Sequence, residues 1–241
     1  MLLLPRAILF DLDDTILSFG RRVLVIEEIA ERTPEWFAPL TPRTAAAAIE
    51  ARFKAFWADQ TRHKAWRPRL AEARRMLVAE AFEDLNAAGA TRLTQDQAYD
   101  FADRFHAYRE TEAKLFPGAL QTIDALKAAG VLLALVTNGQ SEPQRGKIER
   151  FDLARRFDHI QIEGDHGFGK PEDRAYRHAM QVLGVQPNET WMVGDNLEWE
   201  VAAPQALGIF AIWHDHLGDG LSEDSTIRPD RIIRSLTELL L

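Results

Sequence analysis

The sequence predicts an α/β fold: a parallel sheet covered by helices on both faces, into which an all-helical module is inserted. Three observations carry this. Short apolar runs recur along the chain, each bounded by Gly, Asn, Asp or Thr; helical patterns lie between them; and one long stretch near the start holds only helical periodicity. Of the 241 residues, 46% are apolar and 27% charged, which places the chain among globular proteins rather than disordered ones. Length alone does not choose between one large domain and two modest ones.

The first strand is Ala7 to Phe10, an apolar run ending abruptly in acidic residues, as a buried strand delivering polar groups at its carboxyl end would. Similar runs follow at Val131 to Val136, Ile160 to Ile162, Trp191 to Val193 and Ile209 to Trp213. Between them, helices are expected at Ala119 to Ala129, Pro143 to Phe151, Asp173 to Leu183 and Glu198 to Leu207. Gly130, Gly184 and Gly208 close three of the four, as suits the left-handed residue that ends a helix. From about Arg21 to Glu112 every periodic segment is helical. Leu70, Ala73, Leu77, Ala81 and Leu85 mark one face, and Ala98, Phe101, Phe105 and Tyr108 another. Thr94 with Gln97 reads as a capping box, and Thr41-Pro42 as the start of a further helix. Arg231 to Ile233 reads as a last short strand, and Ser235 with Glu238 as the cap of a terminal helix.

A net charge of −8 works against a general nucleic-acid role, which depends on Lys and Arg displacing counterions from phosphates. There are no cysteines, which excludes disulfides, thiolate metal sites and a cysteine nucleophile. The apolar run Met1 to Leu4 stops at Pro5, short of the roughly 7–15 residues of a signal-peptide core, and nothing later approaches the ~18 apolar residues of a membrane span. A cytoplasmic protein without membrane or nucleic-acid partners is expected; monomer and homodimer stay open.

Chemistry concentrates at the ends of the strands. Asp11-Leu12-Asp13-Asp14-Thr15 follows the first strand directly. If extended geometry persists, Asp11 and Asp13 project to one side, and two carboxylates then share a small volume. That is unfavourable unless a cation lies between them or one holds a proton, and both remedies serve phosphoryl transfer. Magnesium binds through one or two carboxylates plus substrate phosphate, while one carboxylate can attack phosphorus and its neighbour protonate the leaving oxygen. Thr137-Asn138-Gly139 ends the second strand before a helix and offers a hydroxyl and N–H groups to a phosphate. Gly167-Phe168-Gly169-Lys170-Pro171 follows the third strand and lets Lys170 reach inward. Asp195, after the next strand, can complete an oxygen shell, with Asn196 and Glu200 in support. Taken singly each of these is as easily a turn or a cap. All four nevertheless fall at the edge where open α/β sheets bind ligands.

As an ordered set these residues resemble the four motifs of the haloacid dehalogenase superfamily: D-x-D-x-T, a strand-ending Thr, a distant Lys, and Gly-Asp with a later acid. The resemblance implies a Rossmann-like catalytic core over residues 1–19 and 113–241 and a helical cap over 20–112. It implies Asp11 as the nucleophile that forms an aspartyl-phosphate, and Asp13 as the acid that later activates water. Thr137 and Asn138 would bind phosphate and Lys170 stabilise its charge. Mg2+ would rest on Asp11, the backbone carbonyl of Asp13, and Asp195. The function implied is hydrolysis of a small phosphorylated substrate. Glu200 stands where many relatives carry Asp. Lys147 is a second candidate for the lysine role, set aside as a mid-helix surface charge.

Alternatives of the same fold are a 2-haloacid dehalogenase-like hydrolase, disfavoured by Asp13, a phosphomutase, and a non-catalytic binding module. Two further segments attract attention. Arg62 to Arg67 reads as a solvated loop between helices, and Trp213-His214-Asp215-His216 as part of the cleft rim or surface rather than a zinc site. Selectivity is expected from the cap and from Phe19, Arg21 and the Trp66 segment.

Overall fold

The computed structural model describes residues 3–241; Met1 and Leu2, which open the apolar run at the start, lie outside the described residues. The chain forms two compact units, one built from the chain up to Ser18 and from Lys114 to Leu241, the other from Phe19–Ala113.

In chain order, the first unit begins with β1 (Ala7–Phe10) and β2 (Leu17–Ser18). The second unit supplies α1 (Arg22–Glu31), α2 (Pro34–Phe37), α3 (Pro42–Trp57), α4 (Gln60–Trp66), α5 (Leu70–Ala87) and α6 (Gln95–Thr111). The first unit then resumes with β3 (Lys114–Leu115), α7 (Ala119–Ala128), β4 (Leu132–Thr137), α8 (Ser141–Arg150), β5 (His159–Ile162), α9 (Glu163–His166), α10 (Asp173–Leu183), β6 (Thr190–Gly194), α11 (Ala203–Ala206), β7 (Phe210–His214) and β8 (Arg231–Ile233).

Six strands make one parallel sheet in the order β5-β4-β1-β6-β7-β8. All four β1 residues are buried, because a central parallel strand is covered on both faces and has no solvated side to alternate toward. Ala7 and Leu9 pack with Ala134, Val136, Tyr176, Ala179 and Met180 on the α10 face, while Phe10 points the other way and meets Phe157 edge-on at 6.2 Å. Register aligns Phe10, the last residue of β1, with Leu135 on one side and Val193 on the other, so β4 runs two residues and β6 one residue further toward the same edge. Strand order reverses around β1, the point at which such sheets bind ligands.

The helical unit closes on its own aromatic core. Phe37, Phe82 and Phe101 meet edge to face at 5.6–6.0 Å, and Phe53 meets Phe105 at 5.6 Å. The Thr94 and Gln97 capping box forms, and the Thr41 hydroxyl accepts from Thr44 N–H ahead of Pro42.

Four features differ from the sequence reading. The segment Arg62 to Arg67 is helical rather than a loop. Asp59 caps α4 by accepting the N–H groups of Thr61 and Arg62, and Trp66 packs against Phe56. The expected single helix from Glu198 to Leu207 is a π-helical turn, Leu197–Ala202, followed by α11. Pro204 has no N–H to give the carbonyl of Glu200 four residues back, so a regular α-helix cannot run through this segment. The terminal segment Leu236–Leu240 is a 3-10 helix, although its Ser235 and Glu238 capping box forms as expected. Finally, β2 and β3 pair antiparallel beside the points where the helical segment departs and returns. Strands of two residues are too short to leave a periodic signal.

Candidate active site

The loop after β1 turns at once. Asp14 takes a left-handed φ of 60°, its N–H donates to the Leu17 carbonyl, and the N–H groups of Ile16 and Leu17 both return to Leu12. The ladder still runs through Asp11, whose N–H donates to the Val193 carbonyl at 3.0 Å, and the left-handed turn comes at Asp14; the two aspartates nevertheless face separate partners.

Asp11 is 7% exposed, and the Nζ of fully buried Lys170 reaches its Oδ1 at 2.5 Å. The same ammonium lies 2.7 Å from Glu200 Oε1, and Glu200 is itself buried. The π-helical turn directs Glu200 inward, while its other oxygen accepts the N–H of Asn196 at 2.8 Å. Asn196 in turn caps this turn through the N–H groups of Glu198 and Trp199. Asp195, half-buried, has its backbone carbonyl pinned by the indole N–H of Trp213 at 2.7 Å.

Charge in this cluster is unbalanced, because Asp11, Glu200 and Asp195 share one ammonium, Lys170. Burial pushes the Glu200 carboxyl up to about 7 against the opposing pull of Lys170, with the charge of Asp11 adding to the rise. Burial likewise raises Asp11, again opposed by Lys170. Asp195 is held well above the usual carboxylate range by burial and then by the charges of Glu200, Asp11 and Asp14. Burial alone would lower Lys170, but Asp11 and Glu200 outweigh it and keep the ammonium charged.

Asn138 does not aim its side chain into the space above Asp11. Its amide forms a closed pair with the backbone of Lys170, Nδ2 donating to the carbonyl and Oδ1 accepting the N–H, each at 2.8 Å. The neighbouring Gly139 N–H donates to Glu163, so the loops after β4 and β5 are zipped together. Glycine is required for that approach: a Cβ at Gly169 would stand 2.5 Å from Asn138 Oδ1. The Thr137 hydroxyl, buried, accepts from Gln144 Nε2 at 2.6 Å.

Lys147 corrects the sequence reading most sharply. It is no surface charge: its side chain is 11% exposed, and its Nζ sits 2.9 and 3.0 Å from the two carboxylate oxygens of Asp13. Gln144 donates to Asp13 Oδ2 at 2.9 Å. A signal existed, since Gln144, Lys147, Ile148 and Phe151 fall at i, i+3, i+4 and i+7, so both polar residues share the stripe that carries the apolar residues of α8.

His214 lies buried at the end of β7, and burial, then the charge of His216, lowers its ring to about 4, leaving it neutral near pH 7. Asp215 accepts the N–H groups of Asp219 and Gly220. Among the described residues no group of three or more His, Cys, Asp or Glu side chains is placed to hold a metal ion unaided.

Gly194 supports the cluster from below. A Cβ there would lie 2.0 Å from Glu200 Cγ and 2.5 Å from its Cβ. Gly194→Ala is therefore expected to displace Glu200 from Lys170 and to cost about 1–3 kcal/mol. Urea unfolding measures this, and a variant as stable as the parent would show that the turn yields freely.

Comparison with known proteins bears on family and fold. Residues 5–208 match the haloacid dehalogenase-like hydrolase family. Over 98% of each chain the sequence is 33% identical to phosphoserine phosphatase of Thermus thermophilus. It is 31% identical to phosphoglycolate phosphatase of Chromobacterium violaceum over 68% of this chain and 72% of that one. Among solved structures, the magnesium-bound HAD-hydrolase YfnB of Bacillus subtilis superposes with a TM-score of 0.71 at 24% identity, over 98% of this chain and 97% of the other.

Proposed function

The chain belongs to the haloacid dehalogenase-like hydrolase family, and from that premise we propose that it is a magnesium-dependent phosphomonoesterase acting on a small phosphorylated metabolite in the cytoplasm. The reading takes the unit holding Asp11 as the catalytic core and the helical unit as its cap. No helix among the described residues is long and apolar enough to cross a membrane.

The observation that carries the reading is the surplus of carboxylate over ammonium around Asp11. Lys170 neutralises only one of Asp11, Glu200 and Asp195, and the raised carboxyls mark a place where a cation is wanted. The donors are all oxygen, which suits a hard ion that takes one or two carboxylates and completes its shell with carbonyl, water and substrate phosphate. Asp11, the Asp13 carbonyl and Asp195 would hold it, with Asn196 and Glu200 bracing them. When bound, Mg2+ would offset phosphate charge and help align phosphorus with Asp11.

The residues then divide the work. Lys170 holds Asp11 Oδ1 and so anchors one oxygen of the attacking carboxylate. As an Asp11 oxygen bonds to phosphorus, the bond from phosphorus to the leaving oxygen breaks, and Asp13 gives that oxygen a proton. Water next attacks the aspartyl-phosphate, Asp13 takes the proton from the water, and phosphate leaves with Asp11 restored. Thr137 contributes its hydroxyl to the phosphate, while Asn138 acts chiefly by holding Lys170 in place.

The same charge surplus gives a test that does not depend on turnover. Carboxyls raised in the folded protein contribute stability below their unfolded values, and this is lost as pH rises, for Glu200 between its ordinary 4.5 and about 7. Metal-free protein should therefore weaken across that window. Added Mg2+ should raise the melting temperature more at pH 8 than at pH 5, where protons compete for its ligands, and should contribute about 2.7 kcal/mol at a hundredfold excess over Kd. The matching activity test is hydrolysis of p-nitrophenyl phosphate with and without Mg2+, followed by a metabolite screen starting from phosphoserine and phosphoglycolate. Metal-independent melting together with metal-independent turnover would remove the proposal.

A further inference from the structure

We propose that Gln144 and Lys147 are positioning residues that aim the Asp13 carboxylate at the leaving oxygen. The inference rests on the reading of Asp13 as the general acid. Helix α8 brings three contacts to that carboxylate: Lys147 Nζ to Oδ1 at 2.9 Å and to Oδ2 at 3.0 Å, and Gln144 Nε2 to Oδ2 at 2.9 Å.

An ammonium that spans both oxygens fixes how far the carboxylate extends, and a further donor on one oxygen fixes its rotation. Asp13 needs this help, because it sits in an isolated bridge to Leu17 beside a left-handed residue, outside any strand that would orient it. Proton transfer demands heavy atoms within about 2.6–3.2 Å of each other, so a loosely held acid would rarely be in reach.

Gln144 does more than hold one oxygen. The same Nε2 lies 2.6 Å from Thr137 Oγ1 and 2.9 Å from the Asn138 carbonyl. One buried amide thus ties the acid to the hydroxyl assigned to the phosphate, and the two are fixed relative to each other. Both helix residues follow within one and two turns of the loop after β4, so a single rigid element sets the distance.

The experiment compares kcat/KM, which reports the steps through phosphoryl transfer, for phenyl phosphate and p-nitrophenyl phosphate. In Lys147→Met and in Gln144→Leu we expect a loss of about 10² on phenyl phosphate but only about threefold on p-nitrophenyl phosphate, whose leaving oxygen departs without a proton. Lys147→Arg should restore much of the loss. Melting temperature and Mg2+ affinity are measured alongside.

Equal losses on both substrates, or a rise in KM alone, would reassign Lys147 to holding the phosphate and overturn the proposal. A lower melting temperature with an unchanged ratio between substrates would leave a purely structural ion pair, and would overturn it too. Asp13→Asn separates this inference from the reading beneath it. Leaving-group dependence in Asp13→Asn but in neither helix variant overturns the positioning alone, whereas its absence from Asp13→Asn overturns the role of Asp13 as acid.

Discussion

Asp11→Asn is expected to abolish turnover, by about 10⁴-fold or more, the scale seen when a nucleophile is removed, while leaving the fold in place. An amide cannot form the acyl-phosphate bond, yet its oxygen can still accept the Lys170 contact that the carboxylate accepts. The substitution also removes one of the charges that raise Asp195, so one destabilising interaction goes with the stabilising one. Unfolding midpoints should therefore move little. The checks are steady-state hydrolysis of p-nitrophenyl phosphate, and intact-protein mass spectrometry of acid-quenched enzyme, in which the parent but not the variant should gain a phosphoryl group. Turnover within tenfold of the parent would eliminate Asp11 as the nucleophile.

The second large effect is on stability. Lys170→Met should cost about 3–5 kcal/mol at neutral pH, because it leaves the buried carboxylates of Asp11 and Glu200 without their counter-charge. Its pH dependence identifies the cause. Without the ammonium both carboxyls rise further, so the folded variant binds protons that the unfolded chain has released, and stability falls as pH increases. Urea unfolding at pH 5 and pH 8 should show the variant much closer to the parent at the lower pH. A penalty independent of pH would point to lost packing around the lysine stem instead of lost charge pairing.

Asp11, Thr137 and Asp195 were legible because each stands at a strand end, and strand ends are readable from short apolar runs; Lys170 lies beyond β5 and the short α9, and was legible from its Gly-Phe-Gly-Lys-Pro loop. Their partners were harder to read. α8 is the polar segment Ser-Glu-Pro-Gln-Arg-Gly-Lys-Ile-Glu-Arg, in which composition overwhelms the faint stripe through Gln144, Lys147, Ile148 and Phe151. Asn138 was legible as a loop residue, but no local pattern tells an amide that faces a ligand from one that clasps a backbone 32 residues further on. The same holds for Trp213, whose indole supports Asp195 from a neighbouring strand. The turn at Glu200 escaped because a π-helical turn of six residues is too short for its period to be told from that of an α-helix. Pro204 was the available warning.

The acidic loop after β1 is moored twice, to Lys170 from beyond β5 and to Lys147 on the crossover after β4. These anchors belong to different stretches of chain, yet the Asn138 amide just before α8 clasps the backbone of Lys170, so the two moorings are joined behind the loop. Under the proposed roles of Asp11 and Asp13, a shift at either anchor would therefore reach bond-making and proton delivery together.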